Sequence, residues 1–247
     1  MLDLVRSIRP TSAEIGAWNT ELATATPEEV LTWGAAQWNH HMALTCSFGG
    51  PAGMVLLDMI VKVAPATPAL YIDTGVLFPE TYALIEQVEQ HYGIQLAVSN
   101  PHRTIAEQEA VEGPALWTRD PNRCCAVRKV QPLAETLLPF DAWITGLRRD
   151  NGSTRAQAQL VEWSTKYQLV KLNPLVAWTE RDVWRYIHAH KVLYNPLLDQ
   201  GYTSIGCAPC TRLPTSDDPR SGRWVGFGKT ECGLHLEPEA SGVALAG

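Results

Sequence analysis

The stretch Ala43-Leu44-Thr45-Cys46-Ser47-Phe48 alternates apolar and small polar residues, as a strand does, and runs straight into Gly49-Gly50-Pro51. Proline is favoured at the first position of a helix, and residues 52–63 are apolar nearly all round, so the glycines join a strand to a buried helix. The unit recurs. Residues 69–72 read as a strand with Asp73-Thr74-Gly75 turning at its end, and residues 79–92 as a helix with Leu84, Ile85, Val88 and Tyr92 on one face. Residues 95–98, 143–145 and 169–172 read as further strands. Thr179 with Asp182 three residues on has the form of a capping box ahead of a helix over 183–190. Residues 11–40 read as helical and polar-faced, with Thr26 capping a helix that begins at Pro27 and carries Glu28 and Glu29 in its first turn. Strands alternating with helices specify an α/β fold, a doubly wound, mainly parallel sheet with helices on both faces. Ligands of such sheets sit beyond the carboxyl ends of the strands.

At 247 residues the chain suits one large α/β domain with appendages, here residues 1–213, followed by a C-terminal segment over 214–247. Residues 214–223 are rich in Pro, Ser, Asp and Gly and read as a mobile connector; residues 237–247 read as a frayed tail. Between them lies a short non-random block, residues 223–235. The longest apolar run, 54–63, is broken by Asp58 and Lys62 and is too short to span a membrane. The first ten residues lack the apolar stretch of a secretory signal, so a cytoplasmic protein is expected. The net charge of −6 argues against nonspecific binding to nucleic acid. An anionic small molecule needs local positive charge, which the chain supplies in clusters: Arg128 and Lys129; Arg148 and Arg149 with Arg155; Arg220 and Arg223 with Lys229.

The six cysteines divide by context. Cys46, among apolar neighbours, reads as an inert core thiol. Cys124-Cys125 and Cys207-Ala208-Pro209-Cys210 offer four thiolates, enough for zinc or an iron–sulfur cluster. Structural zinc prefers two spaced pairs that each bite one metal, and neighbouring cysteines do this poorly; separate irons give adjacent thiolates separate targets. A redox dithiol at 207–210 and four unrelated buried thiols are the competing readings. Cys232 stands apart, in Lys229-Thr230-Glu231-Cys232-Gly233-Leu234-His235. A lone cysteine beside glycine in a mobile segment has little core to fill, and a nearby ammonium or imidazolium raises its thiolate fraction. The loop from Ser47 to Gly53 has no Gly-Lys-Ser/Thr, so it is not a Walker loop; a structural turn and a phosphate or sulfate cradle are both open.

Taken together, these motifs resemble the assimilatory adenylyl-sulfate reductases, the cluster-bearing branch of the sulfonucleotide (APS/PAPS) reductases. The resemblance covers roughly residues 40–236 and rests on the Ser47 to Gly53 loop, Ile72-Asp73-Thr74-Gly75, Cys124-Cys125-Ala126-Val127-Arg128-Lys129-Val130, Thr145-Gly146-Leu147-Arg148-Arg149-Asp150 through Arg155, the cysteines at 207 and 210, Arg220-Ser221-Gly222-Arg223-Trp224 and Glu231-Cys232-Gly233-Leu234-His235. It implies an adenine nucleotide alpha hydrolase-like fold. It implies that Ser47, Gly49, Gly50 and Gly53 line the phosphosulfate end of adenylyl sulfate and that Ile72, Asp73 and Gly75 sit by the adenosine. Lys129 with Arg148 or Arg149 would face the anionic groups, Arg220 and Arg223 would close over the nucleotide with the tail, and Lys229 and His235 would accompany them. Cys124, Cys125, Cys207 and Cys210 match the ligands of a [4Fe-4S] cluster and Cys232 the nucleophile. Thioredoxin or glutaredoxin is the implied reductant; a homo-oligomer is open. The sequence departs from the family pattern at Gly50-Pro51-Ala52-Gly53, which lacks an acidic residue, and at Asn151-Gly152-Ser153. The alternatives are a reductase for the 3′-phosphorylated nucleotide (PAPS) or of dual specificity, and an ATP-pyrophosphatase-type enzyme, whose Ser-Gly-Gly-X-Asp-Ser loop is not matched here.

Overall fold

A computed structural model describes residues 9–152 and 155–236; Ser153, Thr154, the first eight residues and the tail expected over 237–247 lie outside the described residues. Six strands form one sheet in the order β3-β2-β1-β4-β6-β5. They are β1 (Met42–Thr45), β2 (Ala69–Ile72), β3 (Ala97–Ser99), β4 (Ala142–Ile144), β5 (Val161–Ser164) and β6 (Leu169–Leu172). All neighbours run parallel except β5, which pairs antiparallel with β6 at the edge. The order reverses at β1: β2 lies on one side of it and β4 on the other, which opens a crevice beyond the carboxyl ends of these two strands.

The helices are α1 (Ser12–Glu21), α2 (Pro27–Trp38), α3 (Pro51–Val63), α4 (Pro79–Tyr92), α5 (Ile105–Glu112), α6 (Pro121–Cys125), α7 (Gln131–Thr136) and α8 (Glu180–His190). Proline at the first turn starts α2, α3 and α4, and capping boxes start α1, α2, α5 and α8, the last through Thr179 and Asp182 as the spacing requires. The pair α1 and α2 is less polar-faced than expected: Trp18, Trp33 and Trp38 meet edge-on with ring centroids 5.3–5.9 Å apart.

One sheet face packs against α3, whose residues 54–60 are all buried, and against α8. Asp58 is buried there and accepts from Lys62, Tyr92 and Tyr186, tying α3 to α4 and α8 (2.6, 3.0 and 2.8 Å). The other face carries Ala43, Leu70, Trp143 and Leu169, covered by Leu133 and Leu137 at and just beyond α7. Register places Ala43 beside Trp143 and Trp143 beside Lys171 on that face. β1 stops at Thr45, so Cys46 lies one residue beyond the strand; it is fully buried, and burial pushes its thiol up to about 12, as an inert core thiol requires. Among the described residues no helix is long and apolar enough to cross a membrane.

Candidate active site

The four cysteines of the two pairs line one cavity, together with Val76, Trp117, Pro121, Arg128, Lys129, Pro209, Arg223 and Trp224. Helical geometry explains how neighbouring cysteines share a wall. Pro121, Cys124, Cys125, Arg128 and Lys129 follow the i, i+3, i+4, i+7, i+8 spacing of one helical stripe. The stripe runs through α6 into a single π-turn over Ala126–Val130 before α7, a wide turn of the sort that often marks functional sites. The opposite wall is the tight turn Ala208–Cys210, in which the Cys210 N–H donates to the Cys207 carbonyl (3.0 Å) and brings residues i and i+3 to one side. The Ala208 N–H donates to the Val76 carbonyl (2.8 Å), fastening that turn to the loop after β2.

The cavity is electrostatically divided. Burial raises the thiols of Cys124 and Cys210, to about 12 and about 11, with the neighbouring cysteines adding to it. Cys207 is different: burial alone would raise it, but Lys129, the Thr74 hydroxyl at 3.3 Å and Arg223 outweigh burial and hold the thiol below its usual range. Lys129 in turn is raised: burial lowers it, but Cys207 and Cys232, then Cys125, more than offset this. Lys129 therefore sits between the cavity and the C-terminal cysteine. Trp224 lines the cavity with its indole N–H buried and without a protein partner, and the cations Arg223, Lys229 and Arg220 lie over its ring at 4.4, 5.3 and 5.7 Å. Among the described residues no three of His, Cys, Asp and Glu converge on a point suited to a single ion; the thiols are spread around the cavity.

The C-terminal segment is docked beside this cavity. Thr211 and Arg223 form an antiparallel bridge and the Arg212 N–H donates to the Gly222 carbonyl (2.8 Å), so the intervening residues leave and return at one place. Beyond them, Lys229 donates to Asn122 (2.5 Å), Glu231 pairs with Arg155 (2.9 Å), Lys166 donates to the Gly233 carbonyl, and Leu234 packs on the Trp143 face of the sheet. His235 stacks on Trp143 at 5.2 Å with planes 9° apart. Burial, and then Lys171, Arg155, Arg220 and Lys166, hold its imidazole well below the usual range, so it is neutral. Cys232 is half-buried between these anchors.

The remaining sequence candidates fall into two groups. Ser47 is exposed just past β1, Gly50 precedes α3, and no side chain caps the first turn of that helix. Gly49 lies under the Ile205 carbonyl, Gly53 against Cys46, and Ile72 on the same apolar cluster as Leu234. Asp73 accepts from the Gly75 N–H (2.8 Å) and the Tyr82 hydroxyl (2.7 Å), and Gly75 takes a left-handed φ of +72°, which suits glycine. Arg148 is buried against Asp150 (2.8 Å), whose other oxygen accepts from the first turn of α8, and Arg149 donates to the Ala158 carbonyl (2.8 Å). These two arginines are engaged away from the tail. Around the tail stand Arg155, which the sequence groups with them as a cation cluster, and Lys166 and Lys171, which the sequence candidates omit. Lys171 carries a readable signal, a charge inside the apolar strand Leu169-Val170-Lys171-Leu172.

Residues 41–213 match the model of the phosphoadenosine phosphosulfate reductase domain. The adenosine 5′-phosphosulfate reductase of Mycolicibacterium smegmatis is 45% identical over 91% of this chain and 93% of that protein. Adenosine 5′-phosphosulfate reductase 1 of Bacillus subtilis is 47% identical over 83% of this chain and 89% of its own length. In three dimensions the phosphoadenylyl-sulfate reductase of Candida auris, solved as a phosphate complex, superposes with a TM-score of 0.74 at 32% identity, over 83% of this chain and all of that one. With the cysteine cavity and the docked Cys232 segment in place, these similarities establish that the chain belongs to the phosphoadenosine phosphosulfate reductase family.

Proposed function

We propose that this protein reduces adenylyl sulfate to sulfite and AMP, in sulfate assimilation toward cysteine, with Cys232 as the nucleophile and a [4Fe-4S] cluster held by Cys124, Cys125, Cys207 and Cys210. The observation that carries the reading is the position of Lys129, which lines the cavity with the four cysteines and whose charged form is favoured by Cys207, by Cys232 on the tail and by Cys125. The donor set fits the cluster: four thiols around one cavity, with the unpartnered Trp224 indole N–H available to a sulfur acceptor. When bound, the cluster supplies negative charge and structural restraint, because the thiol partner supplies both electrons.

The chain's own residues gather and place charge. The uncapped first turn of α3 offers N–H donors to an anion, and Ser47, Gly49, Gly50 and Gly53 shape the approach to it. Ile72, Asp73 and Gly75 border the adenosine. Lys129 and Arg220, with Arg223, Lys229 and His235 around the tail, offset the repulsion between a thiolate and the sulfate oxygens. The Cys232 sulfur attacks the sulfuryl sulfur, the bond to the phosphate oxygen breaks, and AMP leaves with that oxygen. A thiolate of thioredoxin or glutaredoxin then attacks the Cys232 sulfur and displaces sulfite, and the partner's second thiol closes its disulfide. This cycle requires the segment around Cys232 to leave its docked position, and a cytoplasmic setting that keeps the partner's thiols reduced.

Mass spectrometry of reduced protein mixed with adenylyl sulfate alone tests the reading. Sulfonate is expected on Cys232, and Cys232→Ser is expected to bind nucleotide and turn none over. An adduct elsewhere, or none, rejects the reading, and competition between the two nucleotides in a sulfite-release assay fixes the substrate.

A further inference from the structure

The residues flanking Cys232 are held more tightly than the cysteine. Glu231 is only 7% exposed, and its carboxylate meets the Arg155 guanidinium at 2.9 and 3.0 Å and that of Arg220 at 3.6 Å. Arg220 also donates through Nε to the Thr230 carbonyl (2.9 Å), and Lys166 donates to the Gly233 carbonyl. The holders come from separate parts of the chain: Arg155 from the loop after β4, Lys166 from the turn between β5 and β6, and Arg220 from the segment before the tail. A carboxylate removed from water needs its partners, and losing one leaves an uncompensated charge. The arrangement therefore favours one seat for Glu231 and, through the adjoining peptide, one position for Cys232.

We propose that Glu231 is a positioning residue, which seats Cys232 over the site by engaging Arg155 and Arg220 and gives way when the tail swings out to the thiol partner. The proposal deepens the reading above and rests on it for the identity of the nucleophile. The latch itself, however, is a property of the resting chain and is measured without substrate.

The experiment compares wild type, Glu231→Gln, Glu231→Asp, Arg155→Gln and the Arg155→Gln/Glu231→Gln double variant as complete chains. The first readout is the rate of iodoacetamide alkylation at residue 232, followed by mass spectrometry, with unreactive Cys46 as the control for folding. Glu231→Gln is expected to speed alkylation at least fivefold and Glu231→Asp less; the double variant should match Glu231→Gln, because the contact that Arg155→Gln removes is already lost there. Single-turnover sulfonation of Cys232 is expected to slow about tenfold in Glu231→Gln, with kcat reduced and KM for the nucleotide unchanged. Alkylation within twofold of wild type in Glu231→Gln overturns the proposal, as do additive effects in the double variant. Should Glu231→Gln expose Cys46, Glu231→Asp decides alone, and an alkylation rate equal to wild type counts against the latch. A failure of sulfonation in wild type would reject the chemistry while the alkylation comparison still stood.

Discussion

Gly206 owes its identity to what lies against it. A Cβ there would overlap the guanidinium of Arg223, which donates to the Cys210 carbonyl (3.4 Å) and Ser204 (3.3 Å) and covers Trp224. Gly206→Ala therefore forces the end of a side chain aside rather than a backbone segment. Overpacking of this kind costs about 1–3 kcal/mol, and less where the displaced group is a flexible end. The expected outcome is a folded protein with a small loss of stability in a denaturant titration and impaired retention of iron, because Arg223 no longer closes the cavity. Gly49→Ala differs in kind: the overlap is with the Ile205 carbonyl, so backbone must move and the larger loss of stability falls there. Equal iron content in Gly206→Ala and wild type would show that Arg223 plays no part in retaining iron.

At the scale of elements, the docked tail carries a pH dependence. The His235 imidazole lies below its ordinary value near 6.5 because burial and four neighbouring cations disfavour its charged form. The tail released into solvent regains the ordinary value. A group depressed on docking contributes fully above its free value and loses that contribution as pH falls toward the docked one. Docking is thus expected to be strongest above about pH 6.5 and to weaken progressively below it. Alkylation at Cys232, divided at each pH by that of a free cysteine peptide, should report this release between about pH 7.5 and 5, and His235→Gln should flatten the profile. A wild-type profile that is already flat would show that His235 does not hold the tail. Much of the surrounding framework was legible: Thr26, Pro51, Pro79 and Thr179 mark helix starts by local chemistry alone. β5 was not, because its turn to β6 carries Gln168 at φ +55° rather than glycine or asparagine, and its partner is a strand that reads as fully buried. α5 has a capping box in Thr104 and Glu107 but buries only Gln108 and so shows no apolar stripe, and two prolines and a π-turn interrupt the period of the α6–α7 stretch. The cysteines were identified by type and spacing. Their common stripe with Arg128 and Lys129, and the roles of Arg155, Lys166 and Lys171, depend on tertiary placement that no local pattern encodes.

For the whole molecule, the cavity is where distant parts of the chain are joined. One wall is the helical stripe ending at Lys129, the other the turn at Cys207 and Cys210, and the lid is Arg223 and Trp224, which the Thr211 bridge places there. A group bonded to all four thiols cross-links the two walls and binds only the folded arrangement, so its binding free energy adds to stability. Without it, three buried thiols and the half-buried Cys210 remain, and Lys129 draws Cys207 toward thiolate. Cys124→Ser should therefore lose iron and sulfide and melt lower than anaerobically prepared wild type. For a domain of this size each kcal/mol lost lowers the midpoint by about 2–4 °C. Proteolysis should also open the segment from 207 onward first, since the parallel sheet has its own core on both faces. Cys232→Ser is the opposite case: it keeps iron and melting point and loses only chemistry, because that sulfur is no part of the cavity wall. The pair of variants separates the two duties of sulfur in this chain, and identical iron content and melting point in Cys124→Ser and wild type would leave the cavity without its bound group.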